Sequence, residues 1–440
     1  MTVQGELQRF MELQEAGLKT DFRCRQCRNC EDCRRGAGHE RLSLKEEAEQ
    51  ELIKESIFID VDKGIAVASL PFTLPPEQNL KSNRHIAMKR LDSVLKKYCR
   101  DSNSRQLIFK AWEKMIAKNH LVFVKDLSPE YQEMLATAKV SYWISWNLQF
   151  KESLSTPIRP VFDASSASPT GLSLNDCLAK GTPDLVILLS VLLDWQMGAS
   201  ALCGDISQFY PTILLKPKHW QFQRILLREN LDPEGDVIEA VLVKLAFGVQ
   251  SVSAQSEETV RRVAKDLWDT LPVVANLLTK KRYVYDLAKG TNSKQDSMNL
   301  AKLTSDMLKM KLNMEIKGWC IAGNKPPPDV TKDGVSVELA GSRWWTEADF
   351  FSPNIPPICF SKKKRGKLPE SSSEYNPKTM SLEDFVPQQL TRRMITSIVA
   401  KVWDVLGKTT PVTLMFKYYL RRLIAESPEW DTPVSTQARS

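Results

Sequence analysis

Lys281-Arg282-Tyr283-Val284-Tyr285-Asp286-Leu287 is the stretch on which the fold turns. A basic pair precedes three strand-forming residues, then an acid and an apolar residue. This is the composition of a short buried strand that turns at its acid. Upstream, Ser200-Ala201-Leu202-Cys203-Gly204-Asp205-Ile206 has the same form. Acids commonly close strands because Asp suits turns, so each stretch taken singly implies no chemistry. Two such acids on neighbouring strands, however, can share divalent cations, and a cation pair can drive phosphoryl transfer.

The surrounding sequence supplies a context for the two acids. Tyr283-Val284-Tyr285-Asp286 resembles the Tyr-X-Asp-Asp hairpin of reverse transcriptases, with Tyr285 where the first aspartate belongs. Cys203-Gly204-Asp205-Ile206-Ser207-Gln208-Phe209-Tyr210 is similar to the other acidic strand of that palm. Ser155-Thr156-Pro157-Ile158-Arg159-Pro160-Val161-Phe162-Asp163 continues the match, as do Gly171 to Leu178, Gly181 to Asp184 and Phe247-Gly248. The succession resembles the polyproteins of BEL/Pao-type LTR retrotransposons along most of the chain.

That resemblance implies an α+β right-hand polymerase fold of palm and fingers. A helical region precedes it and an α+β connection region follows. Four segments are expected: a Cys-rich segment at 1–40, a helical region at 41–144, fingers and palm at 145–325, and at 326–440 a connection region similar to the Pao retrotransposon peptidase family. The implied activity is RNA-directed DNA polymerisation by two-metal nucleotidyl transfer. The implied partners are an RNA template, a DNA primer and deoxynucleoside triphosphates, with Mg²⁺ or Mn²⁺ as cofactor. Asp205 and Asp286 are the expected catalytic acids and metal ligands. Arg159 is expected to grip the triphosphate, since guanidinium offers paired donors to phosphate oxygens. Lys151 is expected to add a second phosphate contact. Tyr210 is expected to pack under the sugar and leave no room for a 2′-hydroxyl. Phe247 and Gly248 are expected to let template or nucleotide approach the backbone.

Tyr285 departs from the family pattern at its most demanding position. The substitution removes a charge and two hard oxygen ligands, while a phenol stays protonated near neutral pH. Chemistry is expected to slow by roughly a hundredfold to ten-thousandfold. Asp286, on the far side of the strand from its neighbour, is not expected to take over. The alternatives are a nucleic-acid-binding protein without catalysis and a metal-stapled interaction module derived from a retroelement.

Cys24, Cys27, Cys30 and Cys33 form an unbroken C-x2-C-x2-C-x2-C run with arginines interleaved. Four thiols this close can ligate one metal, and the arginines favour the thiolate. Zinc is the first expectation. An iron–sulfur cluster and free reduced thiols are the alternatives.

The remainder is ordinary in composition. Of 440 residues, 61 are basic and 53 acidic, a net charge of +8 that permits a nucleic-acid partner without requiring one. The longest apolar run, Leu185 to Leu193, is too short to span a bilayer, which takes about 18 residues. Leu185 to Trp195 is expected to be a buried helix, apolar nearly all round. Nine cysteines suit a reducing intracellular compartment, cytoplasmic or nuclear. Helical spacing predicts two helices between Arg84 and His120, split near Ser102. Trp220–Leu227 and Val237–Phe247 are expected to pair around a turn at Asp232-Pro233-Glu234-Gly235. Ser361-Lys362-Lys363-Lys364-Arg365-Gly366-Lys367 is expected to be a solvated basic loop. A ribonuclease H region is expected only beyond the C-terminus.

Overall fold

The computed structural model describes residues 44–435 except 151–157, 183–184, 329, 332, 356–357, 359, 361–374, 377 and 427–428. The cysteine run, Lys151 and the basic loop therefore lie outside the described residues. The rest is a mixed α+β structure of five small sheets.

Helix Leu44–Glu55 carries Glu46 and Glu47 in its first turn, where carboxylates complement the helix dipole. β1 (Ile57–Asp60) and β2 (Ile65–Ala68) follow as an antiparallel pair. Helices Arg84–Tyr98 and Ser102–Ala117 lie where the periodicity places them, the second capped by the Asp101 side chain accepting from the Ser104 amide. β3 (Leu121–Phe123) leads toward a two-stranded sheet of β4 (Ser145–Phe150) and β5 (Ile158–Asp163), in which Gln149 stands opposite Arg159.

Helix Leu188–Gln196 delivers the chain to β6 (Ser200–Ser207). β7 (Leu214–Leu215) then joins β2 in parallel. β8 (Arg224–Arg228) and β9 (Val237–Leu242) form the expected antiparallel pair, and β3 adds to the other side of β9. Helices Val252–Asp266 and Pro272–Lys280 follow.

The central sheet comes next. β10 (Arg282–Tyr283) and β11 (Asp286–Thr291) form a tight hairpin, and β11 runs antiparallel to β6 along six residue pairs. After helix Lys294–Leu312, β12 (Glu315–Ile316) and β13 (Cys320–Ile321) pair with the other edge of β6. β6 is thus the interior strand. This explains its buried run from Ser200 to Cys203, which continues on neither face as a polar stripe. Leu202, Ile206 and Leu287 join the main core, while Ala201, Cys203 and Ala288 join a second cluster with Val191, Leu192, Trp195 and Trp344. β14 (Ser336–Leu339), β15 (Ser342–Trp345) and β16 (Phe350–Pro353) form a separate meander. Helices Arg392–Val399 and Thr410–Glu426 close the described chain.

Helix Leu188–Gln196 differs from its sequence expectation. Val191, Leu192 and Trp195 are buried, but Ile187 is 73 %, Leu193 50 % and Met197 85 % exposed. The sheet occupies one side of the helix only, so an all-round apolar sequence has found a one-sided burial. Among the described residues, no helix is long and apolar enough to cross a membrane.

Candidate active site

The acid pair is built by strand register. Asp286 is the direct partner of Asp205 in the β6–β11 ladder. Directly opposed residues of an antiparallel pair project to the same face, so both carboxylates stand on one side of the sheet. Strand alternation gives them the face of Ala201, Cys203 and Ala288, at the margin of the second apolar cluster. The expectation that Asp286 faces away is therefore corrected. The reason is local: Val284-Tyr285 is a two-residue turn, and Asp286 opens the returning strand instead of ending the first one.

The turn is held by a residue that sequence reasoning had treated only as part of a basic pair. Val284 has φ 57°, a left-handed conformation disfavoured for a β-branched residue. Arg282 is buried and donates from its guanidinium to the Val284 carbonyl. It also donates to Leu278 O at 2.9 Å and to both carboxylate oxygens of Glu257 at 2.9 and 2.7 Å. Its guanidinium carbon lies 5.5 Å from the Phe209 ring centroid. A buried cation this fully paired rigidifies the hairpin, whereas an unpaired one would disrupt it. The available signal was an arginine inside a strand that is otherwise apolar. On the other side, Ile206 N donates to Tyr285 O at 2.9 Å, which ties the turn to β6.

Burial and mutual repulsion set the electrostatics. Burial pushes the Asp205 carboxyl up to about 6, although the charges of Lys317 and Arg159 pull it back. Burial, then the charge of Asp205, pushes Asp286 up to about 7. Near neutral pH the pair therefore holds a proton that ordinary carboxylates would have shed. Tyr285 is 43 % exposed; burial, then the charges of Asp286 and Asp205, raises its phenol further, so it stays protonated.

Arg159 lies close enough for its charge to act on both Asp205 and Tyr285. The Tyr210 and Phe247 rings meet edge-on at 5.3 Å, and Tyr210 also acts on Tyr285. The fold thus gathers Asp205, Asp286, Tyr285, Arg159, Tyr210 and Phe247 into one region, with Lys317 donating from its backbone to Asp205 O at 2.8 Å. Gly248 has a packing demand of its own. With φ 90° and a hypothetical Cβ only 2.1 Å from Phe162 O, it is glycine because β5 packs against it. Gly204 is constrained likewise, since a Cβ there would sit 2.8 Å from the Trp319 ring.

As a metal cradle the site is incomplete. Among the described residues, no group of three His, Cys, Asp or Glu could hold a metal ion. Two carboxylates and a protonated phenol fit one bridging cation and not a pair. The free cysteines of the described chain, Cys99, Cys177, Cys203 and Cys320, are all buried.

The C-terminal stretch has its own local order. Arg393 pairs with Asp431 at 2.8 Å, and the Arg392 guanidinium lies 4.3 Å from the Trp430 ring centroid. Residues 391–440 match the model of a family described as Pao retrotransposon-like RNaseH-like domain. The peptidase label expected for this stretch is corrected to that description, and so is the placement of any ribonuclease H-like region wholly beyond the C-terminus. No curated protein matches the chain. The match at 391–440 supports a BEL/Pao retrotransposon origin for this protein.

Proposed function

We propose that residues 145–325 are a reverse transcriptase palm and fingers of BEL/Pao type whose nucleotidyl transfer is impaired at Tyr285. The observation that carries this reading is the register that sets Asp286 directly across from Asp205, with the Arg159 charge acting on Asp205. The retrotransposon match at 391–440 supports it from outside the site.

In this reading Arg159 binds the triphosphate of an incoming deoxynucleotide, and Tyr210 with Phe247 forms an aromatic shelf under its sugar. Phosphoryl transfer of this kind uses Mg²⁺ or Mn²⁺ to neutralise developing charge. The two carboxylates here do not fit a full cation pair. What the chain's own residues supply is positioning: Arg282 and Glu257 fix the hairpin, and the hairpin fixes Asp286 opposite Asp205. RNA template and DNA primer are the corresponding partners.

Primer extension on an RNA template, wild type beside Tyr285→Asp, tests the proposal. Supplying the third carboxylate should raise extension by roughly a hundredfold or more. Measurable extension at equal rates by the two proteins overturns the claim of impairment. A second reading, nucleic-acid binding without catalysis, is favoured by the lack of a third carboxylate beside the pair among the described residues. It predicts salt-dependent binding to a primer–template with no extension by either protein.

A further inference from the structure

Cys203 and Cys320 stand directly across from one another in the β6–β13 ladder. A one-residue bulge makes this pair. β12 sets Ile316 opposite Ile206, and β13 resumes with Cys320 opposite Cys203, so Lys317, Gly318 and Trp319 face only Gly204 and Asp205. Gly318 takes up the extra residue with φ 66°. An unbulged strand would set Trp319 against Cys203 instead.

The phase of the ladder fixes the spacing of the two backbones. Ala322 N donates to Ala201 O at 2.9 Å. The pair two residues along is of the same hydrogen-bonded type, in which Cα atoms lie about 5.5 Å apart. Disulfides bridge Cα separations of about 4.4–6.8 Å, and directly opposed residues project to one face. Both cysteines accordingly sit in one buried cluster, on the side of β6 shared with Ala201 and Ala288. The other free cysteines of the described chain, Cys99 and Cys177, belong to the main core and lie in no strand.

An oxidant reaches this pair from the β13 side. β13 is two residues long, pairs with β6 alone, and lies between Gly318 and Gly323, both at positive φ. So short an edge opens at lower cost than β6, which is paired on both sides, and opening exposes Cys320 first.

We propose that Cys203 and Cys320 form a thiol–disulfide modification site whose oxidant is a small-molecule disulfide, such as oxidised glutathione. When β13 lifts, the Cys320 thiolate attacks one sulfur of the glutathione disulfide, and one glutathione leaves as its thiolate. The Cys203 thiolate then attacks the Cys320 sulfur of the mixed disulfide and expels the second glutathione. Two protein thiols are oxidised, one external disulfide is reduced, and the two thiol protons pass to the departing glutathiones. The new bond ties β6, the strand that carries Asp205, to the segment leading into β14.

The test takes the folded full chain through glutathione buffers from fully reduced to fully oxidised. After an acid quench, free thiols are alkylated and peptides are mapped without reduction. A peptide pair joined through Cys203 and Cys320 is expected. It should form about tenfold faster in the folded chain than in urea, where loose chain separates the two thiols. Cys203→Ala and Cys320→Ala should each abolish the joined pair and leave the other cysteine free or singly glutathionylated. Wild-type protein in which both thiols stay reduced under oxidised glutathione overturns the proposal, and so does one in which each carries its own glutathione. A joined peptide that forms no faster in the folded chain than in urea also overturns it, since the strands then do not deliver the pair.

Discussion

Replacing Asp286 with asparagine should stabilise the protein at about pH 8 and cost it about 1–2 kcal/mol near pH 4. The carboxyl rises from its ordinary 3.8 to about 7, because it is buried and faces Asp205. Each tenfold change in proton affinity corresponds to about 1.4 kcal/mol, so about three decades amount to roughly 4 kcal/mol against the ionised folded state. The pH window follows from the direction of the shift. Below 3.8 both folded and unfolded chains carry the proton, and stability is complete. As pH rises, the unfolded chain releases its proton first, and the folded state loses stability until about 7, where it ionises too. Asparagine keeps the volume and removes the charge, but its amide needs partners in a half-buried place, which offsets about 1–2 kcal/mol. The net gain at about pH 8 is therefore roughly 2 kcal/mol. Urea unfolding followed by tryptophan fluorescence, repeated across pH, gives the midpoint difference between wild type and variant. A difference that stays flat with pH refutes the reasoning. So does a variant less stable than wild type at about pH 8, because either result means that burial and the charge of Asp205 do not raise the Asp286 carboxyl.

Other perturbations follow from the same geometry. Gly248→Ala should lose about 2–4 kcal/mol in urea unfolding, since its Cβ meets Phe162 O in a left-handed backbone. Glu257→Gln should lose about 3 kcal/mol by leaving the buried Arg282 guanidinium poorly compensated, and limited proteolysis should then cut the hairpin sooner. Millimolar Mg²⁺ should raise the unfolding free energy of Tyr285→Asp by about 1–3 kcal/mol and that of wild type by less, which calorimetric titration of the cation would corroborate.

The sequence revealed those parts of the fold whose signal is local. The two helices from Arg84 to Ala117 and the β8–β9 hairpin follow from periodicity and turn chemistry within short windows. Asp205, Arg159 and Asp286 were legible as candidates because they sit in extended motifs, and the structure brings the three together. The direction of Asp286 was not legible. A run of strand formers does not say which residue turns, and that choice rests on Arg282 reaching Glu257 and Leu278 in other elements. The half-open burial of helix Leu188–Gln196 was hidden for a related reason, since composition reports apolarity and not which neighbours arrive. Gly248 showed a third kind of gap: its neighbour Phe162 lies far away in sequence, so the packing demand for a missing Cβ was not legible.

The hairpin between Tyr283 and Asp286 spans only Val284 and Tyr285, and the strand that follows is locked to β6 at every step. A drifting gene can therefore swap side chains in this loop many times while its two acids still look at one another. Gaining or losing a single codon there would rotate the returning strand by half a pleat and turn the carboxylate into the opposite layer. Substitution in the loop leaves the two acids in register; a change of its length does not.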